Sequence, residues 1–438
     1  MLDIAVMDFA EFRARRERVL EALHPGALVV FSAPVAIRNN DVEHDYRQDS
    51  DFFYLTGFDE PDSVLVLQST GGPRFTLFVR PRDPERETWD GPRAGVDGAV
   101  GIFGADQAFS VAELDLKLPE LLSGVPELYY RLGHEAAADA RVLRAIAALR
   151  RRSRVPVVWP TKLSEPDGIV HEMRLKKSPL EVETMCRAMD ITTDAHLELM
   201  RVTRPGMYEY ELEALLRRTF RAGGAERPAY APIVGSGPNA TILHHRRNDR
   251  RIGEGELVLV DAGCELDYYA ADVTRTYPAS GSFSPAQRAV YEVVLAAQLA
   301  AVERSRVGAT LDEIHDSAVE VITDGLIELG LIEGPRAAAL EEKRYRPYYM
   351  HRTSHWLGMD VHDVGRYFQD GAPRRLEPGM VLTVEPGIYV AATADVDPAF
   401  QGIGIRIEDD VLVQQDAPLV LSAAIPKTVA DVEHACKR

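Results

Sequence analysis

The residues of this chain that could do chemistry are acids and imidazoles, and they gather in its second half. Asp261 and Asp272 stand eleven positions apart. Three of the twelve histidines, His351, His355 and His362, fall within twelve residues. Glu385 ends an apolar run, and Glu408 follows an alternation of Ile403, Ile405 and Ile407 with Gly404 and Arg406. Asp261, Asp272, His355, Glu385 and Glu408 thus offer four carboxylates and one imidazole. An oxygen-rich set of this kind suits two hard or borderline divalent ions such as Mn2+, with Co2+ or Zn2+ as other occupants. A bridged pair of such ions holds a hydroxide and polarises a carbonyl, and amide hydrolysis needs both. A single zinc on a helix is the poorer reading. His351 and His355 have i, i+4 spacing, but Arg352 stands where the His-Glu-x-x-His motif has Glu. Gly358 and the alternation of Met359 with Val361 favour a loop or strand. Arg406 shares a strand face with Glu408, where it makes either a cross-sheet ion pair or a grip on a ligand carboxylate.

Strand ends must deliver these acids. The run Gly255 to Gly263 matches Gly379 to Gly387: a glycine, five mostly apolar residues, a carboxylate six places after the first glycine, and a second glycine. Each run is followed by a further acid, Asp272 or Glu408. Two related halves supplying acids from strand ends would make a two-fold-like site. A hairpin with Leu266-Asp267 at its turn and Glu265 paired with Tyr268 would set Asp261 opposite Asp272, with Cβ atoms about 5 Å apart. Carboxylates that close raise each other's pKa unless a cation lies between them. Around these strands the spacing predicts helices. Ser178-Pro179-Leu180-Glu181 is a capping box opening a helix to about Arg201. A second helix, about 208–222, ends at Gly223-Gly224, Ser284-Pro285 opens a third, and Thr310 to Glu313 caps a fourth. Earlier in the chain, Ala27–Phe31, Ser63–Leu67 and Phe75–Val79 read as buried strands, and 10–23 and 136–150 as helices. That is an α/β pattern, with a domain boundary near 170–178.

The 50 basic and 68 acidic residues give a net charge of −18, which argues against a nucleic-acid partner. No apolar stretch reaches the length of a membrane span. Three cysteines, Cys186, Cys264 and Cys436, fit a reducing compartment rather than a disulfide framework. The N-terminus from Met1 to Ile4, followed by the charged run Arg13 to Arg18, lacks a secretory pattern. The expected location is the cytoplasm.

Taken together, these segments resemble aminopeptidase P, the Xaa-Pro aminopeptidase branch of the pita-bread metallopeptidases. The likeness rests on Gly235-Ser236-Gly237-Pro238-Asn239-Ala240 leading to His244, the Asp261 and Asp272 segments, Ser354-His355-Trp356-Leu357-Gly358, Thr383-Val384-Glu385-Pro386-Gly387 and Gly404 to Asp409. Tyr46 to Phe58 resembles that family's first domain. The resemblance implies an α/β (α+β) chain with an N-terminal domain over 1–174 and a C-terminal pita-bread catalytic domain over 175–438. It implies two Mn2+ ions, with Asp261 chelating one, Asp272 and Glu408 bridging both, and His355 and Glu385 completing the ligands of the second ion. A bridging hydroxide would attack the Xaa-Pro bond, and Glu385 would carry its proton to the leaving proline nitrogen. His244 and His362 would steady the intermediate. Arg406, Tyr230 and Tyr389 would support the ligands and substrate, and His351 would line the proline pocket. The implied substrates are peptides with proline second, and the implied assembly is a homotetramer or homodimer. Arg352 departs from the family, which commonly has Gly there; a long cation would narrow the pocket or pair with a substrate carboxylate. The rivals are prolidase, which cleaves Xaa-Pro dipeptides, and a non-catalytic peptide-binding module. Ser354-His355-Trp356 favours the first reading over prolidase, and the complete ligand set disfavours the module.

Overall fold

The three apolar runs near the N-terminus lie side by side in a six-stranded mixed sheet. Ala27–Phe31 pairs antiparallel with Val64–Gln68, which pairs antiparallel with Phe75–Val79. Parallel strands Gln107–Ser110 and Glu127–Tyr129 extend the two sides, and Lys162–Ser164 closes one edge. These central strands are buried on both faces, as continuous apolar runs require. The helix Ala136–Arg150 buries Ala138, Val142, Ala145, Ile146 and Leu149, a single apolar stripe, against Val29, Val66 and Leu128. A computed structural model describes residues 9–23, 25–152, 154 and 156–437, and the chain divides between Glu172 and Met173 into two units. The N-terminal segment Met1 to Ile4 lies outside the described residues.

In the second unit the predicted helices stand where their caps place them, at Pro179–Val202, Glu209–Ala222, Pro285–Arg304 and Leu311–Glu328. The Ser178 hydroxyl accepts from the Glu181 N–H, and the Glu181 carboxylate accepts from the Ser178 N–H at 2.8 Å. Ser284 with Gln287 and Thr310 with Glu313 repeat the arrangement. Among the described residues no helix is long and apolar enough to cross a membrane.

The strands form two related hairpins. Leu257–Asp261 pairs with Thr274–Pro278 on one side and Ile233–Ser236 on the other. Val381–Val384 pairs with Asp409–Leu412, and the same register resumes as Gly387–Tyr389 against Gly404–Arg406. The gap between those two ladders holds Glu385 and Pro386, and it brings Glu385 opposite Glu408. Proline has no N–H to donate, so the ladder breaks there. The halves meet where the Glu408 N–H donates to the Thr274 carbonyl at 3.1 Å and Arg275 donates to the Glu408 carbonyl at 2.6 Å.

The hairpin register differs from the sequence expectation. Leu266 pairs with Tyr269 and Glu265 with Ala270, so Asp261 sits opposite Thr274 and not Asp272. The turn residues are Asp267 and Tyr268, with φ of 49° and 70°. A two-residue turn of this hand needs positive φ at both central positions; Asp267 accepts it readily, and Tyr268 rather than Leu266 takes the other place. The shift moves both strands by one residue each, so facing is preserved, and Asp272 is the diagonal neighbour of Asp261 on the same face. Gly263 allows the tight crossing, since a Cβ there would lie 1.7 Å from the Ala271 oxygen.

Candidate metal centre and active site

Five strand-end and loop residues converge on one cavity of about 680 Å3. Asp261, Asp272, His355, Glu385 and Glu408 all line it, together with Tyr230, His244, His351, His362 and Arg406. Asp261, Asp272 and Glu408 are almost fully buried, at 8%, 5% and 2% exposure. Donor atoms of Asp272, His355 and Glu408 lie within 4.8 Å of one another. The Tyr230 hydroxyl joins the remaining aspartate to them, its one proton shared between Asp261 at 2.6 Å and Asp272 at 2.5 Å. His355 Nε2 lies 3.5 Å from Asp272 and 3.6 Å from Glu385. Its Nδ1 faces the Trp356 carbonyl at 3.0 Å, which leaves Nε2 as the nitrogen presented to the acids.

Charge in this cluster is unbalanced. Four carboxylates face two cationic groups, Arg406 and His355. Arg406 donates to Thr274 Oγ1 at 3.0 Å and to the Tyr389 hydroxyl at 2.9 Å, and it pairs with Asp261. Burial, with the charges of Asp272 and Asp261, pushes Glu385 up to about 7. Burial and then Asp272, Glu385 and Asp261 push Glu408 well above the usual carboxylate range. Burial also raises Asp261, against the pull of Arg406. For His355 burial opposes the charged form, but the hydrogen bond to Asp272 and the charge of Glu385 prevail and lift it to about 9. Buried carboxylates with too few counter-charges, set beside an imidazole, fit divalent cations: ions among them would offset the charge that burial penalises.

The histidines take different positions. His351 Nε2 meets the Tyr389 hydroxyl at 2.9 Å, and its Nδ1 lies 3.8 Å from Glu385. Burial and the charge of Arg406 depress it to about 3, so it stays neutral. The His362 ring stands nearly perpendicular to that of His355, with centroids 4.4 Å apart. Burial and the neighbouring His355 lower its pKa. His244 is exposed on the loop after the turn Gly237–Thr241. The residues around His351 and His355 form no helix, as the glycine and the alternation predict. Arg406 forms an ion pair that runs across to Asp261 in the other half rather than along its own sheet to Glu408.

Residues outside the sequence-derived set hold these groups in place. Glu209 is fully buried and accepts from Ser236 N and Oγ, Asn239, His245 and the Arg250 N–H, at 2.7 to 3.0 Å. Glu209, His245 and Asp249 are close enough to suggest a second ion. However, the Glu209 oxygens are filled by protein donors and Asp249 pairs with Arg247, so the group is an anchor for the loop carrying His244. Asp363 accepts from Arg174 at 2.6 Å and Lys177 at 2.9 Å beneath the loop of His355 and His362. Asp409 accepts from Arg275, Gln298, Ser422 and Lys427 directly after Glu408. The acidic run Glu408-Asp409-Asp410 was a visible signal for the last of these; the other two had none.

Comparison with known proteins places this geometry. Residues 183–415 match the family model of metallopeptidase family M24, and residues 12–129 match that of the aminopeptidase P N-terminal domain. The chain is 43% identical to the Xaa-Pro aminopeptidase of Escherichia coli K12, over 97% of this chain and 96% of that one. Its structure resembles Pseudomonas aeruginosa aminopeptidase PepP with a TM-score of 0.97 at 47% identity, covering 98% of both chains. It resembles zinc-substituted E. coli aminopeptidase P in complex with product with a TM-score of 0.96 at 42% identity, covering 99% of both. The fold class, an α/β N-terminal domain before a pita-bread domain, is therefore the one the sequence implied. With a family model spanning its second half and relatives matching nearly its whole length, the chain belongs to metallopeptidase family M24, in its aminopeptidase P branch, and is a metal-dependent peptide hydrolase.

Proposed function

We propose that this chain is an aminopeptidase that removes the first residue from peptides with proline in second place. The carrying observation is the convergence of Asp261, Asp272, His355, Glu385 and Glu408 in one cavity of a chain whose full-length relatives are Xaa-Pro aminopeptidases. Asp261 would hold one divalent ion, Asp272 and Glu408 would serve two, and His355 and Glu385 would complete the second set. Mn2+ is the first choice for this donor chemistry, with Co2+ and Zn2+ as alternatives. When bound, such ions lower the pKa of water and polarise the scissile carbonyl.

The protein's own groups supply the rest. Glu385, a carboxylate lining the cavity beside His355, would take a proton from water and return it to the proline nitrogen as the bond breaks. His244 and His362, which both line the cavity, would donate to the oxyanion of the tetrahedral intermediate. Arg406 fixes Asp261 and Tyr389 by hydrogen bonds, and Tyr230 fixes Asp261 to Asp272. Neutral His351 and Tyr389 would bound the proline ring. We assign catalysis to residues 175–438, with 1–174 as the N-terminal domain, in a cytoplasmic homodimer or homotetramer. Free Cys186, Cys264 and Cys436 support a reducing compartment.

The test is a peptide panel on chelator-stripped protein resupplied with Mn2+, Co2+ or Zn2+. Cleavage of Xaa-Pro-Xaa, with Xaa-Ala-Xaa left intact and most activity with Mn2+, is expected. Cleavage of the Xaa-Pro dipeptide alone would make prolidase the better reading. Activity that survives complete metal removal would overturn the metal assignment.

A further inference from the structure

The cavity mouth reverses the charge balance of its floor. Arg246, Asp312 and Arg352 all line it, the two arginines exposed and the acid half-buried, giving two guanidinium groups against one acid. Asp312, in the first turn of the helix Leu311–Glu328, pairs with Arg352 through a single nitrogen, and the two side chains are 57% and 43% exposed for Arg352 and Asp312. A guanidinium carries five N–H donors. Among the described residues Arg352 has no second side-chain partner and Arg246 has none. The position is also close to the chemistry, since Arg352 follows His351, which lies 3.8 Å from Glu385 and bonds Tyr389.

We propose that Arg352 is a specificity-determining residue that binds the terminal carboxylate of a short peptide. This rests on the Xaa-Pro reading above. A proline ring against His351 leaves the chain one residue, about 3.5 Å of extended backbone, before a tripeptide ends. That end is a carboxylate, and a guanidinium with free donors receives it in a fork-like, charge-assisted pair. Asp312 occupies the same cation when no substrate is present and acts as its internal competitor. The favoured substrates are tripeptides of the form Xaa-Pro-Xaa with a free carboxylate.

The test compares kcat/KM for one Xaa-Pro-Xaa tripeptide and its C-terminal amide on the Mn2+-loaded enzyme. The acid should be favoured by about tenfold, the scale of one exposed charge-assisted contact. R352Q should collapse the ratio toward one through a higher KM for the acid. D312N should raise the ratio by freeing the cation, a gain that damage to the fold does not imitate. An unchanged ratio in R352Q, or a ratio that moves only in R246Q, would overturn the assignment to Arg352. If the unmodified enzyme cleaves neither peptide while cleaving other substrates, the Xaa-Pro reading fails and takes this proposal with it.

Discussion

Two sets of buried carboxylates lie within the catalytic unit, and their surroundings treat them in opposite ways. Asp409 receives four donors, two of them the cations Arg275 and Lys427. Burial works against its charge, but those cations prevail and hold it down to about 2. Asp363 lies between Lys177 and Arg174, which likewise overcome burial and lower it. One residue before Asp409, Glu408 is as deeply buried and is pushed well upward by burial and its acidic neighbours. Glu385 rises to about 7 for the same reasons. Acids with a full set of donors hold backbone in place; acids short of donors keep room and charge for ions. Adjacent residues of one strand can carry the two roles because their side chains leave on opposite faces.

Substitutions should separate the two sets, and the largest effect belongs to Glu385. Glu385→Ala removes a ligand and the proton carrier together, and kcat should fall by roughly 10³-fold or more in the metal-loaded enzyme. Steady-state turnover of Xaa-Pro-Xaa measures it, and a loss under tenfold would assign the proton to another group. The contrast sharpens in stability without metal. Asp363→Asn leaves Arg174 and Lys177 short of a buried partner and should cost about 3 kcal/mol in denaturant unfolding. Glu385→Gln, which removes one of four crowded acids, should leave the metal-free protein as stable or more so. If both substitutions destabilise alike, the division into two sets is wrong.

The Asp363 effect should also depend on pH with a definite sign. Its folded pKa lies below the ordinary value of 3.8. The folded state therefore binds fewer protons, and the stabilisation is present in full above the unfolded value. It is lost as pH falls through the lower folded value. The gap between the unmodified protein and Asp363→Asn should stay constant from about pH 7 to pH 5 and close below about pH 4. A gap that widens in acid would contradict the ion-pair origin.

The difference between the two sets also explains what was legible in the sequence. The helix starts were readable because a capping box is local: Ser178 and Glu181, or Thr310 and Glu313, are three residues apart and find each other in any context. The site acids were readable because Asp261 and Glu385 each end an apolar run, a further acid follows each, and the pattern occurs twice. The donor-rich acids were not, since their partners are remote. Arg275 is 134 positions from Asp409, and Lys177 is 186 from Asp363. The run Glu408-Asp409-Asp410 marks an acidic segment around Asp409, but nothing in either local sequence marks such a pairing. The hairpin register failed for a smaller reason, the choice of which two residues take positive φ. Face parity survived the error, so Asp261 and Asp272 still meet at Tyr230.

The smallest expected effect tests whether anchoring reaches the chemistry. Glu209 touches no ligand, yet it holds Ser236, Asn239, His245 and Arg250, which flank His244 on both sides. Glu209→Gln keeps the size but turns an acceptor oxygen into a donor that faces other donors. The loop should loosen, and kcat should fall about tenfold with little change in KM, the scale of losing one well-placed oxyanion donor in part. General weakening of the fold would give a similar fall, so the reading comes from a double-mutant cycle with His244→Ala. If Glu209 acts through His244, its substitution adds little once that imidazole is gone. If the two losses multiply, Glu209 supports the unit as a whole, and its anchoring role stands with those of Asp363 and Asp409 without a separate link to catalysis.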